Sequence, residues 1–221
     1  TFKEHCRNLR LLHFPTNAVN GKKVINIAKE IREIFDYEMV VTVSLDGPPD
    51  VHDQLRGIPG NFDSAIETYK KLTTIPGIKV YFGQTLYGRK NQSVQDTIEA
   101  ILNRIPDYSP DELHLNLAIK SSHYYGNSHV PDFSHPVADL DRVLKTKKPV
   151  RDPFQTIEWM YLKQAKRYLD SGKTPTDCKA LISSLYISEK GVLYPCTAWD
   201  RPLGDLRKNN LLGNTHREIT A

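Results

Sequence analysis

Apolar positions along the chain alternate between short continuous runs and spaced stripes. Residues 9–14 (Leu-Arg-Leu-Leu-His-Phe) form a first strand-like run, stopped by Pro15-Thr16-Asn17. After Gly21, the residues Val24, Ile27, Ala28, Ile31, Ile34 and Phe35 recur every three or four positions, which predicts an amphipathic helix. Residues 39–45 are the second run and end at the turn sequence Asp46-Gly47-Pro48-Pro49. Asn61 reads as the N-cap of a helix whose inward stripe is Phe62, Ala65, Ile66, Tyr69 and Leu72, closed by Pro76-Gly77. The third run begins at Ile78 and continues to Leu86. Ser93, with Asp96 three residues on, marks the next helix start, with Val94, Ile98, Ile101, Leu102 and Ile105 facing inward. Residues 113–119 are the fourth run. This β-α-β-α-β-α-β order predicts a parallel sheet with right-handed crossovers, and both an open sheet and a barrel satisfy it.

Beyond residue 121 the pattern loosens. Residues 122–150 read as a long loop with a short helix near 137–144. A long helix follows, capped by Asp152 and begun by Pro153, with Ile157, Met160, Tyr161, Gln164, Ala165 and Tyr168 on one side and Gly172 at its end. Residues 181–188 and 192–194 read as a β-hairpin turning at Gly191. The expected division is an α/β domain over residues 1–172 and a small extension over residues 173–221.

Composition narrows the classes of function. The 221 residues are 39% hydrophobic, enough for a packed core, and 30 basic against 26 acidic residues leave +4. That excess is spread along the chain with no basic run carrying interleaved aromatics, so nucleic acid is not an expected partner. The basic stretch Lys145-Thr146-Lys147-Lys148 reads as a solvated loop. No apolar run nears the roughly 18 residues of a membrane span, and no secretory leader is expected. Three cysteines, Cys6, Cys178 and Cys196, are too few and scattered for a disulfide framework, which points to a cytoplasmic location. Cys6 has no partner in spacing. His123, His129 and His135, six residues apart, match no standard metal motif and read as loop histidines.

Candidate chemistry gathers where the predicted strands end, the functional edge of parallel β/α sheets. Thr16 and Asn17, then Ser44, Asp46 and Gly47, then Gln84 and Thr85, and finally Asn116 offer hydroxyl, amide and carboxylate groups. They suit a polar ligand with ribose hydroxyls and an amino-acid moiety, or simply strand ends that meet water. The stretch from Ser44-Leu45-Asp46-Gly47-Pro48 through His52-Asp53 to Arg56-Gly57 resembles the SLDGP…HD..RG segment of radical S-adenosylmethionine (radical SAM) enzymes, particularly those with SPASM or twitch extensions. Phe14-Pro15-Thr16-Asn17-Ala18 is similar to their preceding TNG strand end, with Ala18 in the glycine's place, and Gly83-Gln84-Thr85-Leu86 to the following strand. Cys178, twelve residues, Gly191, four residues and Cys196 resemble the pattern that opens SPASM and twitch domains, and residues 200–206 resemble its continuation.

The resemblance implies a parallel β/α partial TIM-like barrel of radical SAM type with a small C-terminal β-hairpin extension. It implies an iron–sulfur oxidoreductase that cleaves S-adenosylmethionine reductively to a 5′-deoxyadenosyl radical, which takes hydrogen from an unidentified small-molecule or peptide substrate, with flavodoxin or ferredoxin as reductant. Asn17, Ser44, Asp46, Gln84 and Asn116 become candidate cofactor contacts. Arg56 would meet the methionyl carboxylate or pair with Asp50 or Asp53. Cys178 and Cys196 become candidate ligands of an auxiliary 4Fe–4S cluster. The family's CxxxCxxC loop and GGEP-like turn have no counterpart in this sequence. The alignment equates residues 9–14 with the family's third strand and places both motifs upstream of Thr1, so the chain is expected to be a fragment, inactive alone, with no catalytic residue of its own. Two other readings remain open: an iron-independent barrel lyase or hydrolase using Asp46 with His52 or Asp53, and a non-catalytic module that binds S-adenosylmethionine or a partner.

Overall fold

The computed structural model describes residues 8–87, 92–129, 137–147 and 153–208. Cys6, His135, Lys148 and the Asp152 cap lie outside the described residues. A four-stranded parallel sheet holds β1 (Leu11–Thr16), β2 (Glu38–Ser44), β3 (Ile78–Leu86) and β4 (Leu113–Leu117) in the order β1-β2-β3-β4. The connecting helices are α1 (Gly21–Ile34), α2 (Pro49–Arg56), α3 (Asn61–Thr73) and α4 (Val94–Leu102), and α5 (Val137–Thr146) and α6 (Pro153–Ser171) follow β4. Sequential neighbours pairing in parallel, each with a helical crossover, make a partial β/α barrel wall.

One face of the sheet carries the core. Met39, Val41, Val43 and Leu45 of β2 and its exit, Ile78, Val80 and Phe82 of β3, and Leu113 and Leu115 of β4 join Ala28, the α3 stripe and Ile101 in one apolar cluster. The α3 stripe falls as its periodicity predicts, with Phe62, Ala65, Ile66, Tyr69 and Leu72 all buried. Tyr69 stacks on Phe82 with ring centroids 4.3 Å apart, and Tyr108 meets both rings edge-on. The opposite face is the inner wall of the partial barrel. His13 and Pro15, Thr42 and Ser44, Tyr81 and Thr85, and His114 and Asn116 share it by register. His13 Nε2 lies 2.9 Å from Thr42 Oγ1, and Tyr81 stacks on His114.

Four local details depart from the sequence reading. The Asp46-Gly47-Pro48-Pro49 turn opens a helix, α2: Pro49 sits at its first position, where a missing N–H costs nothing, and Gly57 ends it in the left-handed conformation. Asn61 is the first residue of α3 rather than its N-cap, because its side chain is spent on His52 and Asn17. In α1, Ile25 packs on the core while Ile27 and Ile34 face water. The apolar side of α6 is rotated from the expected one: Ile157 and Met160 are 64% and 55% exposed, and Ala165 of the expected stripe is buried together with Glu158 and Leu162.

The rotation follows from where α6 lies. It runs along the free edge of β4, whose backbone groups need polar partners. Glu158 Oε1 accepts the Leu115 N–H at 3.1 Å, and the Tyr161 hydroxyl accepts that of Leu117 at 3.4 Å. Lys147 Nζ donates to the Leu113 carbonyl at 2.7 Å and to Glu158 Oε1 at 2.9 Å. Burial pushes the Glu158 carboxyl above its ordinary value, opposed by the adjacent Lys147 ammonium. A buried glutamate therefore outranks apolar side chains on this helix face.

The extension is a small antiparallel sheet of β5 (Tyr186–Ile187), β6 (Val192–Tyr194) and β7 (Gly204–Asp205). The hairpin turns at Gly191, whose φ of +74° explains the glycine. The third strand, β7, is too short to leave a periodic signal.

Candidate functional site

The polar strand ends converge at the C-terminal rim of the inner wall. Register puts Ser44 opposite Gly83 and Thr85 opposite Asn116. Asn17, one residue past Thr16, continues β1 to the level of Ser44. Asp46, two residues past Ser44, reaches the level of Thr85 and accepts its N–H through Oδ1 at 2.9 Å. Asn17, Ser44, Asp46 and Asn116 thus share one rim. Gln84 is separated from them. Alternation turns it to the helix side with Phe82 and Leu86, where it is 0% exposed and neither its amide oxygen nor its amide nitrogen has a hydrogen-bond partner.

The SLDGP…HD..RG segment is the scaffold of this rim. Asp46 is 1% exposed, and its Oδ2 lies 2.7 Å from Arg56 Nη2, an ion pair that closes α2 back onto the strand end. Arg56 therefore pairs with Asp46, not with Asp50 or Asp53. The Asp46 N–H donates to Nδ1 of the fully buried His52 at 2.9 Å. Nδ1 is thus an acceptor and Nε2 carries the proton, donating to Asn61 Oδ1 at 3.1 Å. Asn61 Nδ2 in turn donates to the Asn17 carbonyl at 3.1 Å, so one buried relay joins the ends of β1 and β2. Burial lowers the His52 pKa from its ordinary value, consistent with this neutral tautomer. Asp53 is occupied as well: it accepts the N–H groups of Gly60 at 2.5 Å and Phe62 at 2.8 Å, holding the loop into α3. With both His52 nitrogens and both Asp53 oxygens engaged inside the fold, this pair does not serve the acid–base role that the lyase or hydrolase reading needs.

One further group, Gln92, had no signal in the sequence reading. Gln92 Nε2 donates to the carbonyls of Asp46 at 2.7 Å and Thr85 at 2.6 Å, and its Oε1 accepts the Tyr87 N–H. It thereby clasps the ends of β2 and β3 together. Ala18 is fully buried with φ of +55°, its N–H given to Thr16 Oγ1 and its carbonyl accepting from Ser64 Oγ. The left-handed backbone at this position is the physical reason that a glycine suits the TNG strand end.

In the extension, Cys178 is an exposed free thiol and Cys196 a half-buried one. Cys196 Sγ accepts the Trp199 N–H at 3.3 Å, the kind of backbone donation that stabilises sulfur ligands. Among the described residues no three His, Cys, Asp or Glu side chains converge as a metal site. The described residues therefore do not complete a cluster site.

A partial β/α barrel wall with a polar rim at its strand ends is the class that fold and site define. No protein-family model matches the chain. The sporulation killing factor maturation protein SkfB of Bacillus subtilis (strain 168) is 26% identical over 171 residues, which cover 77% of this chain and 39% of SkfB. Hexahistidine-tagged anSMEcpe with bound AdoMet superposes with a TM-score of 0.52 at 15% identity, covering 92% of this chain and 56% of that one. Native anSMEcpe with bound AdoMet gives 0.50 at 15% identity, covering 87% and 53%. The chain thus spans about two fifths of its curated relative and about half of these structures. It shares the partial β/α barrel fold of these structures, and the SLDGP…HD..RG segment, which resembles that of radical SAM enzymes, lies at its strand-end rim.

Proposed function

We propose that the chain supplies the S-adenosylmethionine-binding rim of a radical SAM maturase acting on a peptide. The observation that carries this reading is the shared rim of Asn17, Ser44, Asp46 and Asn116 at the strand ends, stiffened from behind by buried hydrogen bonds. The Ser44 hydroxyl and the Asn17 and Asn116 amides suit the ribose and the adenine edge of that molecule, and Asp46, engaged by the Thr85 N–H and Arg56, fixes the geometry of the rim. Arg56 holds Asp46 in place and offers the remainder of its guanidinium to a carboxylate. When bound to a reduced 4Fe–4S cluster, S-adenosylmethionine supplies a carbon-centred radical for hydrogen abstraction. The chain's own residues bind and orient it and exclude water. Cys178 and Cys196 would contribute two thiolates to an auxiliary cluster completed by other residues. The peptide substrate class is suggested by the maturation role in the SkfB name.

The test is isothermal titration of the intact protein with S-adenosylmethionine. Ser44→Ala and Asn116→Ala should each weaken binding about tenfold, the loss of one or two well-placed hydrogen bonds. Unchanged affinity in both would remove the rim from the cofactor site.

A further inference from the structure

The loop that leaves β4 and the cysteine-bearing hairpin meet at His123. Its side chain is 3% exposed, although the loop around it is largely exposed. Nε2 lies 2.9 Å from the backbone carbonyl of Cys196. A carbonyl only accepts, so Nε2 carries the proton and Nδ1 is left as the acceptor for Ser121 Oγ at 3.3 Å. The ring stacks on Tyr194 with centroids 4.3 Å apart and lies 5.7 Å from that of Tyr186. Tyr124, the next residue, meets Tyr186 edge-on at 5.0 Å. Asp200 closes the contact from the hairpin side: Oδ2 accepts the Ser122 hydroxyl and Oδ1 lies 3.7 Å from His123 Nδ1.

These contacts converge on one short segment. The Cys196 carbonyl is held by His123, its thiol by the Trp199 N–H, the residue two before it by the imidazole stack, and the residue four after it by Ser122. We infer that His123 is the positioning residue for Cys196, tying that cysteine's peptide to the barrel loop so that the thiol keeps a fixed place relative to the sheet. A six-residue histidine spacing in a loop gives no hint of this, because the partner lies 73 residues away.

The test reads the thiol directly and is independent of S-adenosylmethionine binding. The full protein, stripped of metal by chelator and kept reduced, is alkylated with iodoacetamide, and Cys196 and Cys178 are followed separately by peptide mass spectrometry. Cys178, which takes no part in these contacts, is the internal reference. His123→Ala should speed Cys196 alkylation about tenfold with Cys178 unchanged. His123→Gln, which keeps an N–H donor, should restore most of the protection. His123→Phe keeps the ring stack and removes only the donor; it should also speed Cys196, and it carries the test if the alanine variant does not fold. Unaltered Cys196 alkylation in a folded alanine or phenylalanine variant would overturn the inference. So would equal acceleration in the glutamine and alanine variants.

Discussion

Single residues at the strand ends carry opposing costs that mutation can separate. Ala18 sits in the left-handed region, a cost of about 1 kcal/mol for a residue with a Cβ, while its buried methyl returns about 0.8 kcal/mol. Ala18→Gly should therefore leave stability within about 1 kcal/mol of the parent in urea melts, whereas Ala18→Val, branched in the same backbone region, should lose about 2 kcal/mol or more. Gln84→Leu should raise stability by about 1 kcal/mol, because a buried amide without a partner bears its whole desolvation cost. A loss instead would mean that the amide is paired in solution. Asp46→Ala leaves Arg56 unpaired and the Thr85 N–H without its acceptor, so it should cost about 2 kcal/mol, less than for a fully enclosed pair because Arg56 still meets water. His52 adds a pH dependence. Its folded pKa is depressed below 6.5, so below that pH the unfolded chain takes a proton that the native state refuses. Stability should be full above about pH 6.5 and fall, by up to about 1.4 kcal/mol per pH unit, as pH drops toward the folded pKa. Burial lowers His13 as well and acts in the same sense, so thermal melts of His52→Gln should show a smaller fall between pH 7.5 and 5.5, not a flat profile.

At the scale of elements, the free edge of β4 decides what α6 may bury. Lys147 and Glu158 act together as a substitute strand, one donating to the Leu113 carbonyl and the other accepting the Leu115 N–H. Lys147→Met should cost about 2 kcal/mol by chemical denaturation, since it removes the lysine charge beside a buried carboxylate that keeps only the Leu115 N–H and His114, while the double change with Glu158→Leu should recover part of that loss. Periodicity missed this face because it counts apolar side chains, and here the environment asks for a charged one. In α2 the obstacle was different: a Pro-Pro pair after Asp-Gly reads as a turn, yet the second proline is suited to a helix's first position.

At the scale of the whole molecule, the extension is fastened to the barrel loop through its cysteine segment, yet it does not assemble a metal site by itself among the described residues. Cobalt(II) added to the reduced 221-residue chain should give at most weak, chelator-reversible thiolate absorption, and a stable four-thiolate spectrum would contradict this. In the sheet, β4 is covered by α6, whereas β1 has no strand partner on its outer side among the described residues, and the inner wall stays open along His13 and Pro15.

The amino-acid sequence by itself determined the parallel β/α order, the α3 core stripe, the Ser93 cap, the hairpin at Gly191 and the position of the polar strand ends. Each rests on local spacing, turn chemistry or a short motif whose meaning does not depend on distant residues. The tertiary structure decided the rest: that Asn17, Ser44, Asp46 and Asn116 share a rim while Gln84 turns away, that Arg56 chooses Asp46, and that His52 and Asp53 hold loops rather than protons for chemistry. It also decided that His123 meets Cys196. Those outcomes depend on strand register and on pairs of groups far apart in the chain, and the low dielectric of the interior selects among partners that spacing alone leaves equivalent.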